Sequence, residues 1–166
     1  MTDFQFASPD VLNNLGSAAV RYKQNLQALK ILRTLKDQGG TPTTAEQTIL
    51  SRYVGWGSSE LINKAFPRSE LGEPTKELEA LLSEDEIKQL RSSSLSAFFT
   101  PLPIIAAIYD ILDYLGLSTL SSLRILEPAA GTGHFLGAMP THLREKANCV
   151  AVEIDQTSAA ITELLL

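Results

Sequence analysis

Apolar residues recur through the first two thirds of the chain at intervals of three and four, the spacing that lines side chains along one face of a helix. Between residues 18 and 38, Leu26, Leu29, Leu32 and Leu35 mark such a face, and "DQGGTP" breaks it. Upstream, "SPDVLNNL" reads as a short helix with Ser8 as its cap and Pro9 in the first turn. "TTAEQTILSRYV" predicts a further helix, opened by Thr43 or Thr44 with Glu46 or Gln47 three residues on, and "GWGSS" closes it. "EPTKELEALLS" and "SEDEIKQLRSSSL" predict acidic helices, the second with Ser83 and Glu86 at capping-box spacing. "RSSSLSAFFTP" reads as an irregular linker.

From Leu102 the pattern changes. "LPIIAAIYDILDYLG" predicts a helix with Ile104, Ile108, Ile111 and Leu115 on its apolar face and Gly116 as its stop. "SLRILEP" is a short apolar run cut by Glu127 and Pro128, which reads as a strand. "GHFLGAMP" gives one or two helical turns, "NCVAVEID" a second, buried strand, and "QTSAAITELLL" a last helix. Strand, helix, strand, helix is the opening of a parallel α/β sheet. The expected organisation is a helical region over residues 1–96 and an α/β region over residues 97–166.

Composition narrows the class. The chain has 166 residues, 44% hydrophobic and 20% charged, with a formal charge of −5. That total gives no sign of a strongly basic nucleic-acid surface. The basic stretch "RYKQNLQALKILRTLKDQ" and the acidic "SELGEPTKELEALLSEDEIKQL" read as solvated helix faces. The single cysteine, Cys149, lies in an apolar run; it excludes a disulfide within the chain, fits a reducing cytoplasm and predicts a buried structural thiol. "TDFQFASPD" lacks the basic start and apolar core of a signal peptide. The longest apolar run holds Asp110 and Asp113 and is too short to span a bilayer. Trp56, in "YVGWG", is read as a loop anchor in a small helical core in preference to a platform for a stacked base.

The chemistry concentrates in "RILEPAAGTGHFLG", residues 124–137. Gly131 and Gly133 let the backbone turn tightly and approach a ligand in the crevice at the strand ends. Glu153 ends the second strand 22 residues past Gly131, where a carboxylate can accept both hydroxyl protons of a ribose. A nicotinamide dinucleotide is the rival ligand, since the glycine spacing is close to its fingerprint. Yet Glu127-Pro128-Ala129-Ala130 stands between strand and glycine, and an acid there repels a pyrophosphate while suiting an ammonium or sulfonium group. S-adenosylmethionine carries both.

"EPAAGTGHFLG" resembles the cofactor motif of DNA adenine methyltransferases acting on the exocyclic amino group, "AVEID" their ribose-binding motif, and "AFFTPLPI" the motif that precedes the glycine loop in one order class of that family. "NLQALKILRTL", "ILSRYVGWG" and "LRSSSLSAFFTP" are similar to the start of the large methylase–helicase proteins of phages, plasmids and mobile elements. The resemblance implies the start of a Rossmann-like S-adenosylmethionine-dependent fold, following the helical region. It implies that Phe99, Thr100 and Pro101 contact the methionine moiety. Glu127 would lie near its ammonium, with Ala129, Ala130, Gly131, Thr132 and Gly133 as the loop beneath and Pro128 also among the cofactor-binding residues. Glu153 would bind the ribose and Ile154 would pack on the adenine, with plain core packing as the lesser alternative for Phe99 and Ile154; Asp155 could equally cap the last helix. His134 reads as a helix-start residue and His142 as a surface one. The family's catalytic motif, Asn or Asp followed by Pro-Pro and an aromatic, does not occur in this sequence. The implied chain therefore carries a cofactor site but no catalytic residue and no metal ligands, and meets DNA only through parts it lacks. Open strand edges and apolar runs point to pairing with a second copy or a complementary fragment. An interaction module with a relic α/β portion is the competing expectation.

Overall fold

The computed structural model describes residues 4–8, 12, 15–67, 74–95 and 97–166. It is an α/β structure, mostly helical, with one small parallel sheet. The short helix expected over "SPDVLNNL" lies largely outside the described residues.

The first helix, α1 (Ala18–Gln38), buries the leucine face that its periodicity marks, together with Ala28 and the side chain of Asn25. Gly39, at φ +67°, ends it by donating its N–H to the Leu35 carbonyl. A capping box opens α2 (Thr44–Leu50): the Thr43 hydroxyl accepts from Glu46 N–H at 3.3 Å, and the Glu46 carboxylate accepts from Thr43 N–H at 2.7 Å. This helix stops four residues short of the expected Val54, at a Ser51 cap. Beyond it comes an element that sequence reading missed, α3 (Ser59–Ala65), which Ser58 starts by accepting from Leu61 N–H. The acidic segments give α4 (Lys76–Glu79) and α5 (Glu84–Ser93), the latter with the expected Ser83–Glu86 box. Helix α5 takes "RSS" out of the predicted linker, and the Arg91 guanidinium lies 4.4 Å above the Phe66 ring.

Helix α6 (Leu102–Tyr114) forms where expected, but its buried face is the other one. Leu102, Ile105 and Tyr109 turn inward, whereas Ile104, Ile111 and Leu115 are exposed, Ile111 by 58%. The helix is apolar nearly all round, so spacing alone does not choose its face. The choice is made by its partners: Leu123, Leu136, Met139 and Leu143 pack on that side, and the Tyr109 hydroxyl donates to the Phe135 carbonyl at 2.9 Å.

Strands β1 (Leu123–Glu127) and β2 (Ala147–Ala151) pair in parallel, with Leu123 opposite Ala147 and Glu127 opposite Ala151. Short helices α7 (His134–Gly137) and α8 (Thr141–Arg144) make the crossover, and α9 (Gln156–Leu165) follows β2, capped by the Asp155 carboxylate on Ser158 N–H at 2.7 Å. The expected burial of β2 does not hold. Asn148, Cys149, Val150 and Ala151 are exposed, because α9 packs onto the helical core instead of onto the strand. Ile161 and Leu165 belong to the same apolar cluster as Leu26, Leu50, Trp56 and Leu78. Cys149 is correspondingly exposed, not a buried structural thiol. Partial burial pushes its thiol above the usual range against the opposing pull of Arg144, which leaves it a poor nucleophile.

Among the described residues two clusters make the interior: the larger draws on α1 to α5 and α9, the smaller on α6, β1, α7 and α8. The segment Phe4–Phe6 ties them together. Phe4 packs on the larger cluster and Phe6 on the smaller, while their amides donate to Leu165 and Gly137 carbonyls at 2.7 and 3.0 Å. Trp56, 1% exposed, sits inside the larger cluster edge-on to Tyr22, as the anchor reading expects.

Candidate ligand-binding site

The site is assembled at the carboxyl ends of the two strands. After β1 the chain turns through Pro128 and Ala129, both exposed, and the Glu127 carboxylate accepts the Ala129 N–H at 3.1 Å. The loop is held to β2 by Ala130 N–H donating to the Val152 carbonyl at 2.9 Å. Gly131, at φ +55°, lies in the left-handed region, and a Cβ there would come within 2.9 Å of the Phe99 ring. Glycine is thus required twice over, by conformation and by space. Gly133, at φ +76°, starts α7 with Thr162 and Leu166 of the last segment close against it.

Glu153 joins the loop to the end of β2. Its carboxylate accepts the Gly131 N–H at 2.7 Å on one oxygen and the Asp155 N–H at 2.8 Å on the other. The Thr162 hydroxyl donates to the Gly131 carbonyl at 2.8 Å, so both polar groups of the Gly131 backbone are fixed by side chains. Each Glu153 oxygen retains a lone pair for a further donor. Ile154, next along, is 95% exposed, which rules out core packing and leaves an apolar side chain standing beside the carboxylate.

Phe99, Thr100 and Pro101 precede α6, and Phe99 reaches the loop at Gly131. They line a small cleft of about 170 Å³ with Val54 and His134. Phe99 packs on the larger core and meets the His134 ring edge-on at 5.5 Å, so its core role and its place over Gly131 are compatible. His134 is buried, and desolvation pushes it down to about 4, against the pull of the Thr100 and Ser51 backbone groups. Neither of those groups meets hydrogen-bond geometry with the ring. The imidazole is therefore neutral at pH 7, in a wall and not at an open surface. His142 lies at the surface, as expected, and pairs with Asp113 at 2.7 Å. Thr132 is buried with its hydroxyl unpaired.

A second, larger cleft of about 500 Å³ opens between β2 and α9, where Cys149, Ala151 and Glu153 face Thr162 and Leu166. Glu153 thus stands at the junction of cleft and loop.

Of the sequence-derived residues, the fold sets Phe99 on Gly131 and ties Gly131 to Glu153, while Thr100 and Pro101 line the small cleft with Phe99 and His134, and Pro128, Ala129 and Ile154 stand exposed. Sequence reading missed Thr162, which has no signal beyond a hydroxyl in an apolar helix, and the walling role of His134. Compared with models of known protein families, with curated proteins and with solved structures, the chain matches none. What fold and site define is an α/β protein, mostly helical, with a glycine loop pinned by an acidic side chain across a two-stranded parallel sheet. Among the described residues, no helix is long and apolar enough to cross a membrane.

Proposed function

We propose that this chain is the S-adenosylmethionine-binding portion of a DNA adenine methyltransferase of the phage and plasmid methylase–helicase type, on a Rossmann-like start, acting in the cytoplasm. The observation that carries the reading is the tie between Glu153 and Gly131: a carboxylate past the end of β2 holds the glycine loop that follows β1 and lines the cleft beside it. Residues present fit the cofactor's parts. Glu127 ends β1 beside exposed Pro128 and Ala129 and offers negative charge to an ammonium or sulfonium. Glu153 can accept from ribose hydroxyls, and exposed Ile154 offers an apolar surface to a purine. Bound there, the cofactor supplies an electrophilic methyl group. The Asn/Asp-Pro-Pro-aromatic residues that would direct it onto adenine are not in this sequence, so the chain by itself holds the cofactor without transferring the methyl.

A second reading, a docking module for another copy or for a complementary fragment, is favoured by the open sheet. Leu126 is 64% and Val150 56% exposed on neighbouring strands.

Calorimetric titration with S-adenosylmethionine and, separately, NADH tests the first reading. Micromolar binding of the former alone is expected. Gly131→Val should abolish it, because a branched side chain meets both a left-handed backbone and the Phe99 ring. Glu153→Ala should weaken it at least tenfold, since it frees the loop and removes the ribose acceptor. Binding of neither ligand favours the docking module.

A further inference from the structure

The helical region has a feature that cofactor binding does not require of it. The Asn25 side chain is fully buried in α1, yet it spends both ends of its amide on one loop: Nδ2 donates to the Gly55 carbonyl at 2.7 Å, and Oδ1 accepts the Val54 N–H at 3.0 Å. That loop is the "VGWG" turn, and Trp56 plugs it into the core. On its outer side the loop is shaped to receive the segment Ala97–Phe99. A Cβ on Gly57 would run into the Ala97 carbonyl, reaching within 2.8 Å of its carbon. Gly55, at φ +65°, lies against Ala97 and against the tip of the Phe99 ring, where a Cβ would stand 3.4 Å from Cζ. The far edge of the same ring lies on Gly131. Phe99 is thus clasped between two glycines with left-handed backbones, one from the helical region and one from the ligand loop.

We infer that Asn25, Gly55 and Gly57 are positioning residues for the Gly131 loop, acting through Phe99. The inference rests on reading that loop as the ligand site. Asn25 fixes the turn, the two glycines fix the path of Ala97–Phe99, and the ring fixes the height of Gly131 beneath it. The helical region then has a definite task at the site without touching the ligand. A shift of the turn moves the ring, and the loop loses the surface it is packed on.

The test uses the whole chain. A phenyl ring resting on Gly131 gives its amide a ring-current shift, which a two-dimensional ¹⁵N–¹H spectrum reads without any ligand. Gly57→Ala and Asn25→Ala are each expected to move the Gly131 amide resonance and to weaken S-adenosylhomocysteine binding about tenfold, the scale of losing buried hydrogen bonds. Leu35→Ala, at the far end of α1, is the control: it should lower Tm yet leave the Gly131 resonance and the affinity unchanged. Folded Gly57→Ala and Asn25→Ala variants with an unmoved Gly131 resonance would overturn the inference, as would an equal movement in Leu35→Ala. Should Gly57→Ala fail to fold, Asn25→Ala decides alone. If the unaltered chain binds no S-adenosylhomocysteine while the Gly131 resonance still responds to the seat variants, the functional reading fails and the positioning role stands.

Discussion

His134 is the residue whose environment departs most from its sequence reading. It does start a helix, but it is buried between the Phe6 and Phe99 rings, each about edge-on at 5.5 Å. Its folded value of about 4 lies below the unfolded value of about 6.5. Between those values the unfolded chain binds a proton that the folded chain refuses. The residue therefore costs nothing above pH 7 and destabilises progressively as the pH falls toward 4, by roughly 3 kcal/mol in all. His134→Phe should flatten that part of the profile, so urea titrations of variant and parent at pH 7 and pH 4.5 should diverge most at the lower pH. Glu153 shows the opposite relation between sequence and structure. Its position past the glycines was readable because strand ends and ligand loops have a fixed geometry. Its two backbone partners were not readable, since they depend on how tightly the loop folds back.

At the level of elements, local chemistry was the legible part. Thr43 and Ser83 each close the capping box that their sequences announce. Burial tends to raise the Glu86 carboxyl, but the Ser83 backbone and hydroxyl, with Lys36, outweigh it and hold the carboxyl below its usual range. A lowered carboxylate stabilises above its unfolded value and loses that contribution as the pH falls through the folded one. Ser83→Ala should therefore cost about 1 kcal/mol near neutrality, and the deficit should shrink in acid, once the pH falls through the lowered range in which folded Glu86 protonates. Thermal melts of parent and variant across that range measure it. Helix α1 was equally readable because only one of its faces is apolar. Helix α6 was not, because Ile104, Ile108 and Ile111 compete with Leu102, Ile105 and Tyr109, and only the tertiary partners decide. The fate of β2 was invisible for a related reason: an apolar strand reads as buried whether or not anything packs on it. The end of α2 was overrun because Tyr53, three residues past the helix, is apolar enough to continue its pattern and is in fact buried outside it.

For the whole molecule, the consequence of sending α9 to the helical core is that the sheet is left open. Leu126, Val150 and Val152 form an exposed apolar surface beside strand edges that no other described strand pairs, the arrangement that invites a further strand or sheet. Light scattering over a concentration series should show self-association, and Val150→Lys, at a position already exposed, should suppress it with little effect on Tm. A monomer at every concentration would count against the docking reading. The same economy of design has an optical side. Trp56 is the chain's single tryptophan, and it is sealed in the turn on which Phe99 is seated. Its fluorescence therefore comes from one dry environment, edge-on to Tyr22 at 5.8 Å. Emission from the folded chain should be blue-shifted and should move red in a single step on unfolding. Any change on adding S-adenosylmethionine would be a signal carried from the loop back to the turn, so the protein contains its own unlabelled reporter of whether the two communicate.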